Sequence, residues 1–366
     1  MNRRHLIIAL AIVVLLESFC PFSYAANTAN AKVAITPVEA KNTDNKNSKA
    51  PATADTKQSK TKPSSPAAPL SLGAGDEVAS GSVGRGASLS PLLRESFQTD
   101  LATGSATASI PIVIPPGRKN MQPSLAISYS SNNGNGVCGV GWGLSTSSIQ
   151  RSTKKGTPKY DNTDTFVFGS SGSSGDLVLI DAANNEYRQK IETGFMKYIF
   201  DSASSKWMVW DKAGTKYTFG SSVDSRIVNA DGTKIFAWFL DRVEDVYGNA
   251  VIFTYEKDGG QIYLSRASYT ANGSVTPPLA ADKEVDFIYE TGRLDVTYNN
   301  RTGWQIITAR RLKEVQAKVD SALVWRYVFT YSVSGDTGRS ILSQITLFDA
   351  AGNSLPPKKF TYQTIE

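Results

Sequence analysis

Histidine and cysteine are nearly missing from this chain of 366 residues, which has one histidine, His5, and two cysteines, Cys20 and Cys138. His5 and Cys20 fall within residues 1–25, where the sequence predicts a leader that is cleaved off. Without them the chain has no histidine-based triad, no cysteine–histidine dyad, no ordinary zinc site and no intramolecular disulfide. Cys138 stands among small and apolar residues, which favours a buried thiol.

Apolar runs long enough to cross a membrane are missing as well. The run over residues 6–16 is about half of the roughly 20 residues that a spanning helix needs. It follows Arg3 and Arg4 and precedes the small-x-small site at residues 23–25, an order typical of a secretory signal peptide. Residues 1–25 are therefore predicted to be a signal peptide. The mature protein is expected to be secreted, to the periplasm or outside the cell, with no stable membrane span after cleavage.

Aromatic and large apolar residues are scarce between residue 26 and about residue 88, where alanine, lysine, threonine, serine, asparagine and proline dominate. Such a composition buries too little apolar surface to fold, so residues 26–88 are predicted to be a disordered linker. A tether and a passive solvated leader are equally good interpretations of it. Residues 26–69 carry +4 of the mature chain's formal charge of +5, which leaves about +1 for the rest. A net charge near +1 on the folded part does not predict the basic surface that nucleic-acid binding needs.

Helical periodicity is nearly absent from the remainder of the chain. The sequence instead has short runs of β-branched and aromatic residues, among them FAWFLDRV, VIFTY, VDFIY and WRYVFTY. Runs of this kind between turn residues predict strands. Residues 89–366 are therefore predicted to be a large all-β, antiparallel domain of packed sheets and hairpins.

A four-residue turn pattern recurs between the predicted strands. It begins with aspartate, whose carboxylate accepts hydrogen bonds from turn amides, and ends with glycine or asparagine, which tolerate the left-handed conformation. The pattern predicts bulged hairpin turns from Asp181 to Asn184, Asp211 to Gly214, Asp245 to Gly248 and Asp349 to Gly352. The tripeptide Phe-Thr-Tyr also recurs, at residues 253–255, 329–331 and 360–362.

The most informative stretch runs from Gly104 to Arg151 and has no charged residue between Lys119 and Arg151. Alternating apolar residues predict two strands, which prolines and glycines separate. The ordered pattern is IPI, PPG, QPSL, SYSS, GNGxxGxGW, Ile-x-Arg and then an aromatic Asp-x-Phe strand. Its signature residues, to which we assign structural roles, are Pro115, Pro116, Gly117, Pro123, Tyr129, Gly134, Gly136, Gly139, Gly141, Trp142, Arg151, Asp164 and Phe166.

This ordered pattern resembles the N-terminal domain shared by the Salmonella plasmid virulence protein B family and the B components of insecticidal toxin complexes. The resemblance implies a structural module of a large β-rich carrier that helps to enclose or deliver a toxic part. It implies protein partners, namely Rhs or toxin-complex chains or an effector, and no cofactor. The turns that precede Phe-Thr-Tyr strands also resemble degenerate tyrosine–aspartate repeats of Rhs shell proteins, and generic hairpin chemistry explains them equally well.

Other patterns suggest chemistry but lack the context that it needs. Residues 134–139 match the dinucleotide fingerprint GxGxxG, but further glycines follow where that motif requires a helix. Neighbouring acids, Asp161 with Asp164 and Glu244 with Asp245, are typical of solvated turns. One class of family member carries an ADP-ribosyltransferase, whose Glu-x-Glu pattern does not occur in this sequence. The chain is therefore predicted not to be an enzyme, and no metal site is assigned.

A surface adhesin or glycan-binding module is the alternative function. Four tryptophans motivate it: Trp207, Trp210, Trp238 and Trp304. Two or more of these rings side by side on the exposed surface would support ligand binding. Burial in a shared interior would instead favour a structural role.

Overall fold

The computed structural model describes residues 96–99, 104–170, 173–192 and 194–362. Those residues form strands, turns and bends, which confirms the prediction of an all-β chain. None of the described segments is a helix of the length and apolarity needed to cross a bilayer. The predicted signal peptide (1–25) and linker (26–88) lie outside the described residues.

Twenty-four strands form within the described residues. The first seven are β1 (Ser96–Thr99), β2 (Ala106–Pro111), β3 (Ala126–Ser130), β4 (Asn135–Gly136), β5 (Gly139–Val140), β6 (Trp142–Leu144) and β7 (Ser148–Arg151). The next nine are β8 (Phe166–Ser170), β9 (Ser173–Asp181), β10 (Glu186–Gln189), β11 (Lys197–Asp201), β12 (Lys206–Trp210), β13 (Lys216–Phe219), β14 (Arg226–Val228), β15 (Ile235–Glu244) and β16 (Asn249–Asp258). The last eight are β17 (Gln261–Asn272), β18 (Lys283–Glu290), β19 (Thr297–Asn299), β20 (Ile306–Thr308), β21 (Arg311–Val319), β22 (Ala322–Val333), β23 (Ser340–Asp349) and β24 (Lys358–Lys359).

Eight antiparallel strands close into a ring. Strands β7 to β13 pair in chain order, and the long strand β15 pairs with both ends of that series. On one edge of β15, the Phe239 carbonyl accepts the amide of Gly220, just beyond β13 (2.9 Å). On the other edge, the Leu240 amide donates to the carbonyl of Ser147, just before β7 (3.0 Å). The ring therefore closes through β15, which removes the free edges of the series.

Aromatic side chains fill the ring. Trp207 and Trp238 are almost fully buried, and their ring centroids lie 6.2 Å apart. Phe166 and Phe200 each contact both tryptophans, at centroid distances of 4.9 to 5.9 Å. All four pairs meet edge-on or tilted, as aromatic quadrupoles favour.

The second half of the chain continues from β15 as an open antiparallel sheet. Its order is β15, β16, β17, β18, β21, β22, β23 and β24, and the β19–β20 hairpin is inserted between β18 and β21. A smaller sheet has the order β1, β2, β3 and β6. Ile110 and Ile127 of this small sheet share one core cluster with Tyr327 and Leu347 of the open sheet.

The open sheet repeats one hairpin four times. In the first three copies the second strand carries Phe-x-Tyr, and in the fourth the tripeptide directly follows β24. In all four the tyrosine hydroxyl donates to a leucine carbonyl on the first strand. The four pairs are Tyr255 to Leu240 (2.5 Å), Tyr289 to Leu264 (3.0 Å), Tyr331 to Leu312 (2.7 Å) and Tyr362 to Leu342 (2.7 Å). Sequence analysis missed the Tyr289 copy because its tripeptide is Phe-Ile-Tyr. In the first three copies the pairing with the following strand shifts register directly before the tyrosine.

Candidate functional site

The signature segment crosses the open sheet and is held there by aromatic side chains of that sheet. The Tyr327 hydroxyl accepts the Val113 amide (3.0 Å), and the Trp325 indole donates to the Val113 carbonyl (2.9 Å). The buried hydroxyl of Tyr269 donates to the Pro115 carbonyl (2.7 Å). Prolines cannot donate to a strand ladder, so side chains of the sheet satisfy the remaining amide and carbonyl groups of this segment.

A tight turn follows these prolines. The Gly117 amide donates to the side-chain carbonyl of Gln122 (2.5 Å), and a Cβ at position 117 would overlap the carbonyl of Met121. Pro115 and Pro123 are buried on either side of the turn, whereas Pro116 is exposed. Glycine is therefore required at position 117 by close backbone approach.

The glycine-rich part of the signature forms the β4–β5 hairpin and not the helix of a dinucleotide site. Gly136 pairs with Gly139, and the Gly141 amide donates to the Gly134 carbonyl (3.0 Å). Gly139 has φ 85°, and a Cβ there would lie 2.7 Å from the carbonyl oxygen of Ser340 on β23. The hairpin thus rests directly on the backbone of the open sheet.

A buried ionic network binds this hairpin to the open sheet. The Arg293 guanidinium donates to the carbonyl of Gly136, the side-chain oxygen of Asn135 and the carboxylate of Asp295, at 2.8 to 3.0 Å. Asp295 also accepts the amide and hydroxyl of Ser340, at 2.6 and 2.8 Å. Burial alone would raise the pKa of Asp295, but the hydrogen bonds from Arg293, Ser340 and Asn135 hold it well below its ordinary value.

Sequence reasoning missed Arg293 and Asp295. Their side chains are 0% and 7% exposed, whereas Leu294 between them is 94% exposed. An apolar residue flanked by two charged ones normally predicts the opposite orientation. No local pattern marks this inversion, because the partners lie 157 and 158 residues away in sequence.

Cys138 lies at the tip of the hairpin and is fully buried. Burial raises the pKa of its thiol to about 12, although the nearby Arg293 charge lowers it in part. A thiol with this pKa is protonated at neutral pH and is a poor nucleophile.

Trp142 fills the space between the small sheet and the end of the open sheet. Its ring centroid lies 5.2 Å from that of Tyr129 and 4.9 Å from that of Phe360. Its indole nitrogen donates to the Tyr362 hydroxyl (2.8 Å). The Tyr129 ring also lies where a Cβ on Gly141 would be, so the glycine makes room for this contact.

The remaining signature residues meet at the ring. Arg151 on β7 forms an ion pair with Asp164 (2.8 Å) and donates to the carbonyl of Ile235 on β15 (2.9 Å). Its guanidinium also lies over the rings of Phe166 and Trp238, at 5.3 and 5.9 Å. Arg151 thus joins β7 to β15 beside the aromatic cluster.

The predicted turn residues lie at the ends of hairpins. In three turns the glycine is left-handed and its amide donates to the carbonyl of the aspartate at 3.1 to 3.2 Å, with φ of 83° at Gly214, 80° at Gly248 and 90° at Gly352. The fourth turn differs, because Asn185 (φ 49°) is left-handed where Asn184 was expected. The Asn184 side chain instead donates to the Asp181 carboxylate (2.6 Å), and the chain turns one residue later.

The residues considered for chemistry do not converge. Asp161 accepts the amide and hydroxyl of Thr163, Asp164 pairs with Arg151, and Glu244 pairs with Arg242. Within the described residues, no group of three potential metal ligands comes together.

The four tryptophans do not form an exposed platform. Trp207 and Trp238 lie inside the ring, which is the interior arrangement that favours a structural role. Trp304 packs against Tyr160 at 5.4 Å between centroids, and Trp210 is half-buried on β12.

Comparison of the sequence with known families finds one match over most of the described chain. The model of the family described as Salmonella virulence plasmid 65kDa B protein matches residues 100–332. The mono(ADP-ribosyl)transferase SpvB of Salmonella choleraesuis is 26% identical, over 49% of this chain and 36% of the relative. That of Salmonella typhimurium is 25% identical with the same coverage. The matched region is thus about a third of the length of these relatives.

Solved structures show the same fold. The crystal structure of TcdB2-TccC3 matches 75% of this chain and 17% of that chain, with a TM-score of 0.64 and 22% identity. The N-terminal domain of the effector protein SpvB from Salmonella typhimurium strain LT2 matches 66% of this chain and 98% of that domain, with a TM-score of 0.57 and 19% identity.

These comparisons correct one prediction and confirm another. The prediction that the chain is not an enzyme is wrong, because the curated relatives are named as mono(ADP-ribosyl)transferases, of whose length this chain matches 36%. The absence of a Glu-x-Glu pattern concerns one catalytic motif only. The predicted resemblance is confirmed by the family match and by the fold of the SpvB N-terminal domain. The chain belongs to the Salmonella virulence plasmid 65kDa B protein family.

Proposed function

We propose that this chain is an exported, toxin-associated assembly module that forms part of a β-rich carrier and contributes to enclosing or delivering a toxin. The observation that carries the proposal is the match of 75% of the chain to a small part of the much larger TcdB2-TccC3 structure. There the matching region accounts for 17% of that chain, so the fold occurs as one part of a much longer chain.

The architecture of the described residues supports this role. The signature residues make buried contacts. The hairpin rests on β23, Arg151 joins two strands of the ring, and Trp142 joins the small sheet to the end of the open sheet. We interpret the four Phe-x-Tyr hairpins as degenerate tyrosine–aspartate repeats, which extend a sheet one hairpin at a time. Residues 1–25, if they act as a signal peptide, deliver the module to the compartment where such a carrier assembles.

The test is recovery of the full chain, with an affinity tag at its C-terminus, from the secreted and envelope fractions of the native organism. Mass spectrometry identifies the bound proteins, and an unrelated exported β protein with the same tag is the control. We expect a large Rhs or toxin-complex chain to co-purify in fixed stoichiometry. Limited proteolysis of that complex should leave a segment of the partner protected.

Two results would contradict the proposal. Recovery of the chain alone from both fractions would remove the assembly role. Retention of the isolated chain on a glycan array, abolished by substitution of exposed aromatic residues, would favour the adhesin instead.

A further inference from the structure

One end of the ring carries exposed side chains that none of the contacts above explains. We name this surface the rim stripe, and its residues are Lys119, Phe195, Lys212, Val246 and Tyr247. The Lys212 ammonium lies 4.0 Å from the ring centroid of Phe195, and the Lys119 ammonium lies 4.8 Å from that of Tyr247. The two lysine–aromatic pairs are neighbours, because Val246 lies against the turn that carries Lys212. A Cβ on Gly214 of that turn would lie 2.8 Å from the Val246 side chain.

Turn chemistry directs part of this stripe outward. Asp211 and Asp245 each use one carboxylate oxygen to accept two backbone amides of their own turns, at 2.8 to 2.9 Å. The side chains at the positions between aspartate and glycine are not needed to form the turn. Lys212, Val246 and Tyr247 occupy those positions and are all exposed.

Phe195 is held outward by an unusual backbone conformation. Its φ is 51°, in the left-handed region that bulky residues rarely adopt, and its side chain is 56% exposed. Residues in such conformations concentrate at binding and switch sites. The strain and the exposure at Phe195 together indicate that its aromatic side chain has a role outside the core.

The two lysines of the stripe are not engaged in salt bridges within the part of the chain that the structure describes. Among the described residues, neither Lys119 nor Lys212 forms an ion pair with a carboxylate, whereas Lys318 pairs with Asp286 at 2.6 Å. An exposed cation over an aromatic ring is held only weakly. Both ammonium groups are therefore available to an anionic ligand.

We propose that the rim stripe binds an acidic segment of a protein partner whose carboxylates alternate with apolar side chains. The carboxylates would pair with Lys119 and Lys212, and the apolar side chains would cover Phe195, Val246 and Tyr247. The inference rests on the proposed assembly function and adds the surface and the chemistry of the partner. Lipid-binding segments carry about four to eight basic residues. The two lysines of the stripe suit an acidic peptide better than an anionic membrane.

The test places a photo-crosslinking amino acid, p-benzoylphenylalanine, at position 247 of the full chain in its native organism. The matched control carries the same amino acid in place of Tyr298, which is 60% exposed against 64% for Tyr247 but lies on β19. After irradiation, mass spectrometry maps the adducts. We expect position 247, and not position 298, to crosslink to a segment of the assembly partner rich in aspartate and glutamate.

A charge reversal gives an independent measurement. The double variant Lys119→Glu, Lys212→Glu should reduce recovery of the partner roughly tenfold at low salt, because two attractive contacts become repulsive. The control Lys155→Glu, Lys313→Glu changes the same net charge at two exposed lysines elsewhere and should leave recovery unchanged. The wild-type complex should also weaken as salt is raised.

The outcomes separate the two proposals. If the partner co-purifies equally with both double variants, or crosslinks equally at positions 247 and 298, the rim stripe is not the docking surface although the assembly function stands. If no Rhs or toxin-complex chain is recovered with the wild type, the assembly function itself fails. Binding of the wild type to phosphatidylglycerol vesicles, lost in Lys119→Glu, Lys212→Glu only, would replace the acidic segment by a membrane surface.

Discussion

The closed ring and the open sheet are both antiparallel and share strand β15, yet different contacts hold them together. The ring is filled by aromatic side chains, and the buried indole nitrogen of Trp207 has no hydrogen-bond partner there. In the open sheet, each of four buried or half-buried tyrosines donates to a leucine carbonyl of its own hairpin. The ring therefore depends mainly on filling a volume, and the open sheet depends on matching a register.

This difference follows from the shape of each region. A closed ring has no edge at which strands slip, so aromatic side chains of various sizes suffice to specify it. An open sheet slips more easily, and a slip of one residue exchanges its two faces. The hydroxyl-to-carbonyl bond and the register shift before Tyr255, Tyr289 and Tyr331 fix the position of each hairpin.

Removing the centre of the ring should have the largest effect. Trp207→Ala leaves a cavity among Phe166, Phe200 and Trp238 and should lower the free energy of unfolding by about 3 to 5 kcal/mol. Chemical denaturation measures this loss, and hydrogen exchange locates it. We expect amides of β8, β11 and β12 to lose protection first, while β21 to β23 keep theirs.

Trp210→Ala is the matched control, because Trp210 lies on the same strand but is half-buried. Its cost should be clearly smaller. Equal loss of protection in ring and open sheet for Trp207→Ala would show that the two regions unfold as one unit.

Breaking the buried ion pair under the glycine hairpin should have the next largest effect. Arg293→Met leaves Asp295 buried without a cation and should cost about 3 kcal/mol. Arg266→Met removes an exposed arginine that pairs with Asp286, and it should cost less than about 1 kcal/mol. Similar losses for both variants in denaturant titrations would mean that the buried network does not anchor the hairpin.

The same network predicts a pH dependence. The folded protein lowers the pKa of Asp295, so its charge stabilises the fold above its ordinary pKa of about 4 and this contribution is lost as pH falls below that value. Asp295→Asn should therefore be less stable than the wild type at pH 7. Its stability should also fall less between about pH 5 and pH 2, as thermal melts over that range would measure. Parallel pH curves for the two proteins would refute this assignment.

The contact between the hairpin and β23 should be sensitive to a single methyl group. Gly139→Ala forces alanine into φ 85° and toward the Ser340 carbonyl, which should cost about 2 kcal/mol. Gly143→Ala is the control, because no heavy atom lies within 4 Å of a Cβ there. Equal melting temperatures for the two variants would show that the hairpin moves away from β23 at little cost.

Local patterns were visible in the sequence, and distant pairings were not. Runs of aromatic and β-branched residues predict strands, and an aspartate three residues before a glycine predicts a turn, since both depend on neighbours in the chain. Ring closure requires β15 to pair with β7, about 90 residues earlier in the chain. Arg293 likewise donates to Asn135, which is 158 residues away in sequence. No single-sequence periodicity contains that information.

The smallest predicted effects test the repeated hairpin itself. Tyr289→Phe removes the hydroxyl that donates to the Leu264 carbonyl and should cost about 1 kcal/mol, with the same substitution at Tyr255 and Tyr331 costing a similar amount. Tyr298→Phe, on an exposed tyrosine, should be neutral. If each hairpin sets its own register, the losses from Tyr255→Phe and Tyr331→Phe should add in the double variant, measured by denaturant titration. A double variant that loses much more than the sum would mean that the copies act as one ladder, and the unit of the open sheet would be the whole sheet.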